Sequence, residues 1–153
     1  MGVLVVAQGK YRSLEEPIEA LGGKILKELG RSQAHVSVFL VDNATIKKLK
    51  FRYLGIRRST DVLSFGVPKE FRSVWRHIPD PGERARLSRS LGEVYLAPDY
   101  IRAQGEDIIF LLIHGMLHLI GYDHEKKHDM IRMRRREKFL MSKVASQERK
   151  DKS

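Results

Sequence analysis

The feature that most constrains this chain is an apolar run over residues 108–120 that contains two histidines four residues apart, His114 and His118. The run predicts a buried helix because it is apolar almost all round. Side chains four residues apart on a helix lie on one face, so both imidazoles can point at a single ion. Gly121 is expected to end the helix, since glycine accepts the left-handed conformation without steric cost. The chain can then bring His124 to the same point, and three histidines with a fourth position left to water predict a catalytic zinc site.

A second interpretation is that these histidines belong to an ordinary core. A histidine in an apolar helix usually has its hydrogen bonds satisfied within the protein, and a spacing of four can arise by chance. Two buried imidazoles without partners would each cost about 1–3 kcal/mol, and a third histidine just past a glycine stop argues against chance. We therefore expect His114, His118 and His124 to bind zinc, and imidazole ligands also suit nickel.

The spacing of the three histidines matches that of the metzincin metallopeptidases. In those enzymes a glutamate follows the first histidine and acts as general base, but Gly115 stands at that place here. A glycine can neither accept nor deliver a proton, so the peptidase interpretation loses its base while the metal site remains. The ion could still polarise a phosphoryl oxygen or lower the pKa of its bound water towards ~7.

The chain carries a net charge of +10, which indicates a polyanionic partner, most simply nucleic acid. Anionic lipid or a plain solvated surface are the alternatives. Residues 125–153 hold eleven Lys and Arg against five Asp and Glu. A last helix is predicted here from apolar residues at helical spacing, which are Met130, Met133, Leu140 and Val144. Its polar faces carry Arg134 and Arg135, which we predict to bind RNA.

Composition bounds the class of the protein. A length of 153 residues with 42% hydrophobic residues favours one domain with a real core. The chain has no cysteine, which excludes disulfides and thiolate metal sites. The run over 108–120 is too short to span a bilayer, so we expect a cytoplasmic protein without a membrane partner. We predict one metal-dependent hydrolase domain over residues 1–145 and a frayed basic tail over residues 146–153.

The pattern of apolar residues predicts both strands and helices. Four β-branched and apolar segments predict strands, at residues 2–7, 35–41, 60–65 and 91–97. Helical spacing predicts helices at residues 14–29 with Ser13 as N-cap, at 43–55 with Asp42 or Asn43 as N-cap, at 98–104, at 108–120 and after His124. The Gly22-Gly23 pair weakens the first of these helices and suits close packing. We therefore predict a single α/β (α+β) domain with a mixed sheet of about four strands, about five helices and a central metal-bearing helix.

Residues 67–90 follow no single period. They contain three prolines, six basic residues and Trp75, and residues 83–90 suit a short basic helix after the turn at 79–82. A loop of this length is uncommon in a compact domain unless it is functional or disordered. Two readings stay open: a basic loop that contacts nucleic acid, or a surface excursion with Trp75 against the core.

At residues 114–124 the sequence resembles the YbeY family of bacterial rRNA maturation factors nearly residue for residue. The family signature reads His-Gly-x-Leu-His-Leu-x-Gly-Tyr-Asp-His, and this chain reads His-Gly-Met-Leu-His-Leu-Ile-Gly-Tyr-Asp-His. A second family block, Thr-Asp-Val-Leu-Ser-Phe, is present at residues 60–65, and a third is present at 92–94 as Gly-Glu-Val. The three blocks occur in the order that is typical of the family.

The resemblance implies an α/β domain with a three-histidine zinc site. It also implies a metal-dependent, single-strand-specific endoribonuclease that acts in 16S rRNA 3′-end maturation, ribosome biogenesis and ribosome quality control. Its partners would be rRNA and the small ribosomal subunit, with no nucleotide cofactor. The reacting group would be a water on the ion at the His114 site.

One departure from the family concerns an arginine that assists RNA cleavage. The family commonly has Tyr-Arg-Gly before its second block, and Leu54 stands where that arginine would be. Arg52, Arg57 and Arg58 lie close by and could supply the positive charge, because a guanidinium binds phosphate in bidentate fashion. We take all three as candidate RNA-binding residues and Arg58 as the candidate for the arginine that assists RNA cleavage. The alternatives are a non-catalytic assembly factor with a structural zinc and, with less support, a metallopeptidase.

Overall fold

The structure of the chain, a computed structural model, describes residues 2–54, 62–67, 74–122 and 126–151, with side chains up to residue 144 and without that of residue 54. These residues form four strands and six α-helices. The strands are β1 (Gly2–Ala7), β2 (His35–Leu40), β3 (Val62–Gly66) and β4 (Ser90–Leu96). The helices are α1 (Glu15–Glu28), α2 (Asn43–Leu54), α3 (Pro81–Ser88), α4 (Pro98–Ala103), α5 (Ile108–Leu119) and α6 (Lys127–Asp151).

The strands form one sheet in the order β1-β2-β4-β3. β1, β2 and β4 are parallel, and β3 runs antiparallel to β4 at the sheet edge. Parallel neighbours need a crossover connection, and α1 provides the one between β1 and β2. The prediction of an α/β domain with a four-stranded mixed sheet is confirmed. The described residues form six α-helices, which are the five expected and α3, the short helix suggested at residues 83–90.

The two faces of the sheet carry different layers. Alternate side chains of β2 and β4 point into the main core, which α1, α5 and α6 complete. The opposite face carries a smaller cluster, in which Ile46 of α2 packs against Val41, Leu63 and Ala97. This alternation follows from the period of two along a strand. The helices α2 and α5 therefore lie on opposite faces of the sheet.

The predicted central helix is α5. Asp107 caps it, because the Asp107 carboxylate accepts a hydrogen bond of 2.9 Å from the backbone N–H of Ile109. Gly121 ends it as predicted, with a φ of 102°. The backbone N–H groups of Gly121 and Tyr122 donate to the carbonyls of His118 and Leu117, at 3.1 and 3.0 Å. These two hydrogen bonds are the pattern of a Schellman motif.

The ends of two other helices differ from prediction or extend it. Ser13 does not cap α1, because residues Gly9–Leu14 already form a 3-10 helix that runs into α1 and places Leu14 at the N-cap. Asp42 does cap α2, since its carboxylate accepts from the backbone N–H of Thr45 at 2.8 Å. The backbone of α6 is helical to Asp151, past residue 146 where we expected a frayed tail. The division at residue 145 stays a prediction.

The described part of the 67–90 segment contains α3. Asp80 caps this helix by accepting from the backbone N–H of Gly82 at 3.0 Å, so the short helix predicted at 83–90 exists but begins two residues earlier. Trp75 is half-buried. Nucleic-acid contact by this segment stays a prediction. Among the described helices, none combines the length and hydropathy that a bilayer crossing requires.

Candidate functional site

The two histidines of α5 converge as their spacing predicts. The ring centroids of His114 and His118 lie 4.6 Å apart with planes inclined at 81°, and their Nε2 atoms are 3.1 Å apart. His114 keeps 25% of its side chain exposed and His118 is half-buried, so the pair is accessible from solvent. Both rings therefore direct the same nitrogen at one point.

The donor set fits a zinc ion. Two imidazoles that share a tetrahedral ion at about 2.0–2.1 Å bond length have nitrogens about 3.3 Å apart, close to the distance between these Nε2 atoms. The same distance also permits a hydrogen bond in which one Nε2–H donates to the other ring. His124, the predicted third ligand, lies outside the described residues. Within the ranges 2–54, 62–67, 74–122 and 126–144, no three His, Asp or Glu side chains are grouped so that they could hold an ion.

A buried carboxylate from α6 reaches His114 from the other side of its ring. Glu137 Oε1 lies 3.3 Å from His114 Nδ1, and Glu137 exposes only 5% of its surface. The sequence interpretation missed this residue. The available signal was a carboxylate within the apolar stripe of α6, four residues after Met133 and three before Leu140, since such positions are rarely charged without a partner.

Gly115, between the two histidines in the first helical turn of the motif, is a point of close approach between α5 and the sheet. A Cβ built there would lie 2.9 Å from Val94 Cγ1, 3.0 Å from Ser64 Oγ and 3.2 Å from Val62 Cγ2. Ser64 Oγ also donates a hydrogen bond of 3.0 Å to the Gly115 carbonyl oxygen. The position of the metzincin glutamate is therefore filled by the sheet in this protein.

A solvent-open cleft lies beside His114, between α5 and the start of β3. Its volume is about 410 Å³, and it is lined by Val62, Glu106, Asp107, Phe110, Leu111 and His114. Phe110 is 37% exposed, and its ring centroid is 6.3 Å from that of His114. The cleft thus offers an aromatic surface next to the histidine pair, with carboxylates at one end.

The predicted RNA-binding arginines are spread over the molecule. Arg52 is exposed near the end of α2, with its guanidinium 5.7 Å from the ring centroid of Tyr53, and α2 covers the sheet face opposite to α5. Arg57 and Arg58 lie outside the described residues. Arg58 is our candidate for the arginine that assists RNA cleavage. Arg134 and Arg135 are exposed on α6. Arg134 lies one turn from Glu137 on the helix surface, whereas Arg135 lies farther round towards solvent.

The comparisons with known proteins agree on one family. A family sequence model described as Endoribonuclease YbeY matches residues 7–145. The Endoribonuclease YbeY of Desulfitobacterium hafniense is 38% identical over 120 residues, which cover 73% of each chain. That of Thermoanaerobacter sp. strain X514 is 31% identical over 141 residues, which cover 86% of this chain and 88% of the relative.

A solved structure has a similar fold. The solution structure of TM1509 from Thermotoga maritima superposes with a TM-score of 0.60 at 27% sequence identity, over 97% of this chain and 93% of that one. The match to the family model extends through the helix that carries His114 and into α6. The chain belongs to the YbeY endoribonuclease family.

Proposed function

We propose that this chain is a metal-dependent, single-strand-specific endoribonuclease that acts in 16S rRNA 3′-end maturation, ribosome biogenesis and ribosome quality control. The observation that carries the proposal is the convergence of His114 Nε2 and His118 Nε2 at 3.1 Å beside a solvent-open cleft. The relatives that bear the name endoribonuclease support the same activity. We propose rRNA and the small ribosomal subunit as partners, in the cytoplasm.

Zinc is the ion we propose, with His124 completing the ligand set of His114 and His118. A bound zinc ion supplies Lewis acidity towards a phosphoryl oxygen and lowers the pKa of water. The imidazoles would hold the ion as neutral rings, because each ligating nitrogen must present a lone pair. Leu112, Ile113 and Met116 of α5 are buried in the main core, and this packing fixes the helix that carries the two rings.

The cleft beside His114 suits a nucleotide of a single strand. Phe110 presents an exposed ring on which an unstacked base can lie, and stacking of this kind tolerates any base. A base held in a duplex could not reach this ring, which favours single-stranded RNA. The carboxylates of Glu106 and Asp107 disfavour a phosphate at their end of the cleft, because like charges repel.

The basic residues supply the binding that does not depend on sequence. Arg134 and Arg135 lie on α6, which packs on α5, and we propose that they contact the RNA backbone. Arg52 lies on the helix that covers the other sheet face, so an RNA that touches both regions passes around the edge strand β3. We propose that Arg58 takes the role of the arginine that the family commonly has at the position of Leu54.

A second candidate function is a non-catalytic assembly factor with a structural metal. Two observations favour it: Leu54 occupies the usual place of an arginine, and Gly115 offers no general base. The metallopeptidase alternative has lost support, because Val94 and Ser64 occupy the space that a glutamate at position 115 would need.

The test uses the full chain, stripped with chelator, reloaded with zinc and offered single-stranded 16S 3′-precursor RNA and a duplex control. We expect cleavage of the single strand only, lost in His114→Ala and His118→Ala. His128→Ala is the matched control, because the side chain of His128 is 76% exposed in the first turn of α6 and is not one of the three predicted ligands. Equal cleavage by His114→Ala would assign the activity to a contaminant. Zinc-loaded protein that binds the small subunit without cutting RNA would establish the assembly factor instead.

A further inference from the structure

We infer that Glu137 is a positioning residue for the metal ligand His114. Its carboxylate accepts the Nδ1–H of the imidazole, which leaves the lone pair of Nε2 directed at the ion. The inference rests on the metal site of the proposed function and adds the residue that orients it. It assigns to α6 a role in the site that the histidine motif alone does not contain.

The geometry of His114 uses both ring nitrogens in different ways. Nδ1 faces Glu137 Oε1 at 3.3 Å, and Nε2 faces His118 Nε2 at 3.1 Å. A neutral imidazole carries one N–H and one lone pair, and the partner of one nitrogen decides which it is. A carboxylate can only accept, so the proton belongs on Nδ1 and the lone pair on Nε2. Metal-binding histidines are commonly held in this way by a second carboxylate.

Burial makes packing alone a poor explanation for Glu137. Its neighbours in the stripe of α6, Met133 and Leu140, are each at most 1% exposed, and an apolar side chain would be the favourable choice there. A carboxylate at such a depth is costly unless it is hydrogen-bonded. Among the described side chains, no lysine or arginine forms an ion pair with it, and His114 is the partner.

The adjacent arginine does not compete for the carboxylate. Arg136 Nη2 donates to the carbonyl oxygen of Glu28 at 3.3 Å, and its guanidinium lies 5.1 Å from the ring centroid of Phe139. It therefore points towards α1, away from His114. The negative charge of Glu137 is left to act on the imidazole.

Two substitutions separate positioning from packing. Glu137→Leu removes the acceptor and fills the stripe with an apolar side chain of similar size. Glu137→Gln keeps an oxygen that can accept from Nδ1–H but removes the charge. Glu16→Gln, an exposed glutamate of α1, is the matched control. Three quantities are measured on the full chain: the zinc dissociation constant by competition with a chromophoric chelator, the tautomer of His114 from imidazole ¹⁵N shifts without metal, and the unfolding midpoint without metal.

We expect the metal-free protein to hold His114 as the Nδ1–H tautomer and Glu137→Leu to lose this preference. The zinc dissociation constant should rise about 10–100-fold in Glu137→Leu, less in Glu137→Gln, and stay unchanged in Glu16→Gln. The unfolding midpoint of metal-free Glu137→Leu should equal or exceed that of the wild type. A falling midpoint that accounts for the weaker zinc binding would overturn the inference in favour of a structural role.

The outcomes also separate this inference from the proposed function. If Glu137→Leu binds zinc as tightly as the wild type, the positioning role of Glu137 is overturned but the metal site is not. Weaker zinc binding by Glu137→Leu supports the role whether or not RNA is cleaved. Wild-type protein that binds no zinc overturns both, and this result is seen before any variant is compared.

Discussion

Ser64 on the edge strand β3 donates a hydrogen bond of 3.0 Å to the carbonyl oxygen of Gly115 on α5. This bond joins the two sequence blocks that carry most of the family resemblance, one on β3 and one on α5. Gly115 directly follows His114 in the chain. The edge strand β3 therefore helps to fix the position of α5 on the sheet.

Gly115→Ala should destabilise the protein by about 1–3 kcal/mol, because an extra methyl group enters a filled contact. Val94, the nearest neighbour at 2.9 Å, is fully buried and has no room to retreat. Urea unfolding measures the loss. Ser64→Ala, which widens the contact but removes one hydrogen bond, should lower the stability by about 0.5–1.5 kcal/mol. Wild-type stability in Gly115→Ala would refute the close approach of α5.

The neighbouring glycines of α1 should respond in opposite directions to alanine. A Cβ at Gly22 would lie 2.5 Å from Val3 Cγ2, whereas a Cβ at Gly23 meets nothing within 4 Å. Gly22→Ala should cost about 1–3 kcal/mol, and Gly23→Ala should gain about 0.5–1 kcal/mol by restricting the unfolded chain. Thermal unfolding of the two variants is the measurement. Equal shifts of the same sign would contradict the packing of α1 on β1.

Asp107→Ala should cost about 0.5–2 kcal/mol, since it removes the side-chain cap of α5. Asp107→Asn should remain close to the wild type, because asparagine caps helices about as well. The cap lies at the opposite end of α5 from His118, so we expect the zinc affinity to be the same in both variants. Chemical unfolding and chelator competition measure the two effects. A loss of zinc affinity in Asp107→Ala would mean that removal of the cap disorders α5 as far as His114 and His118.

The pH dependence of stability should reflect Asp99. Hydrogen bonds from Lys10 and Tyr11, each 2.7 Å long, hold the pKa of Asp99 below its usual value. A depressed folded-state pKa stabilises the fold above the unfolded-state pKa of about 3.9, and the benefit is lost as the pH falls through the lower folded value. Asp99→Asn should therefore be less stable than the wild type at pH 7.

Urea midpoints of the wild type and Asp99→Asn between pH 7 and pH 3 measure this effect. The gap between the two proteins should narrow below about pH 4, where the unfolded carboxyl becomes protonated. A constant gap over the whole range would show that Asp99 acts without its charge.

The elements of this fold that local pattern determines could be predicted from the sequence. The helix α5 can be predicted from its apolar run. Its end can be predicted from Gly121, because glycine readily adopts the left-handed conformation at a helix C-terminus. The histidine convergence follows from helical geometry alone. The Gly22-Gly23 pair indicated close packing, but which of the two glycines faces β1 depends on how α1 is rotated against the sheet.

Features that depend on tertiary packing could not be predicted. Ser13 has the right chemistry for a cap, but the chain approaches α1 through a 3-10 helix and leaves no N-terminus there. Glu137 reaches His114 only because α6 docks on α5 in one register. Arg52 and His114 are separated by the sheet because α2 and α5 pack on its opposite faces, and no local sequence pattern specifies which face a helix covers.

His114 and Glu137 are in contact, but Glu137 lies 23 residues later in the chain and is therefore synthesised after His114. Synthesis delivers both histidines of α5 and the whole sheet before it delivers the carboxylate. The orientation that Glu137 imposes on His114 can arise only after α6 has emerged and docked. Because α6 also supplies Met133, Leu140 and Val144 to the main core, the docking step that brings Glu137 to His114 is also the step that completes this core.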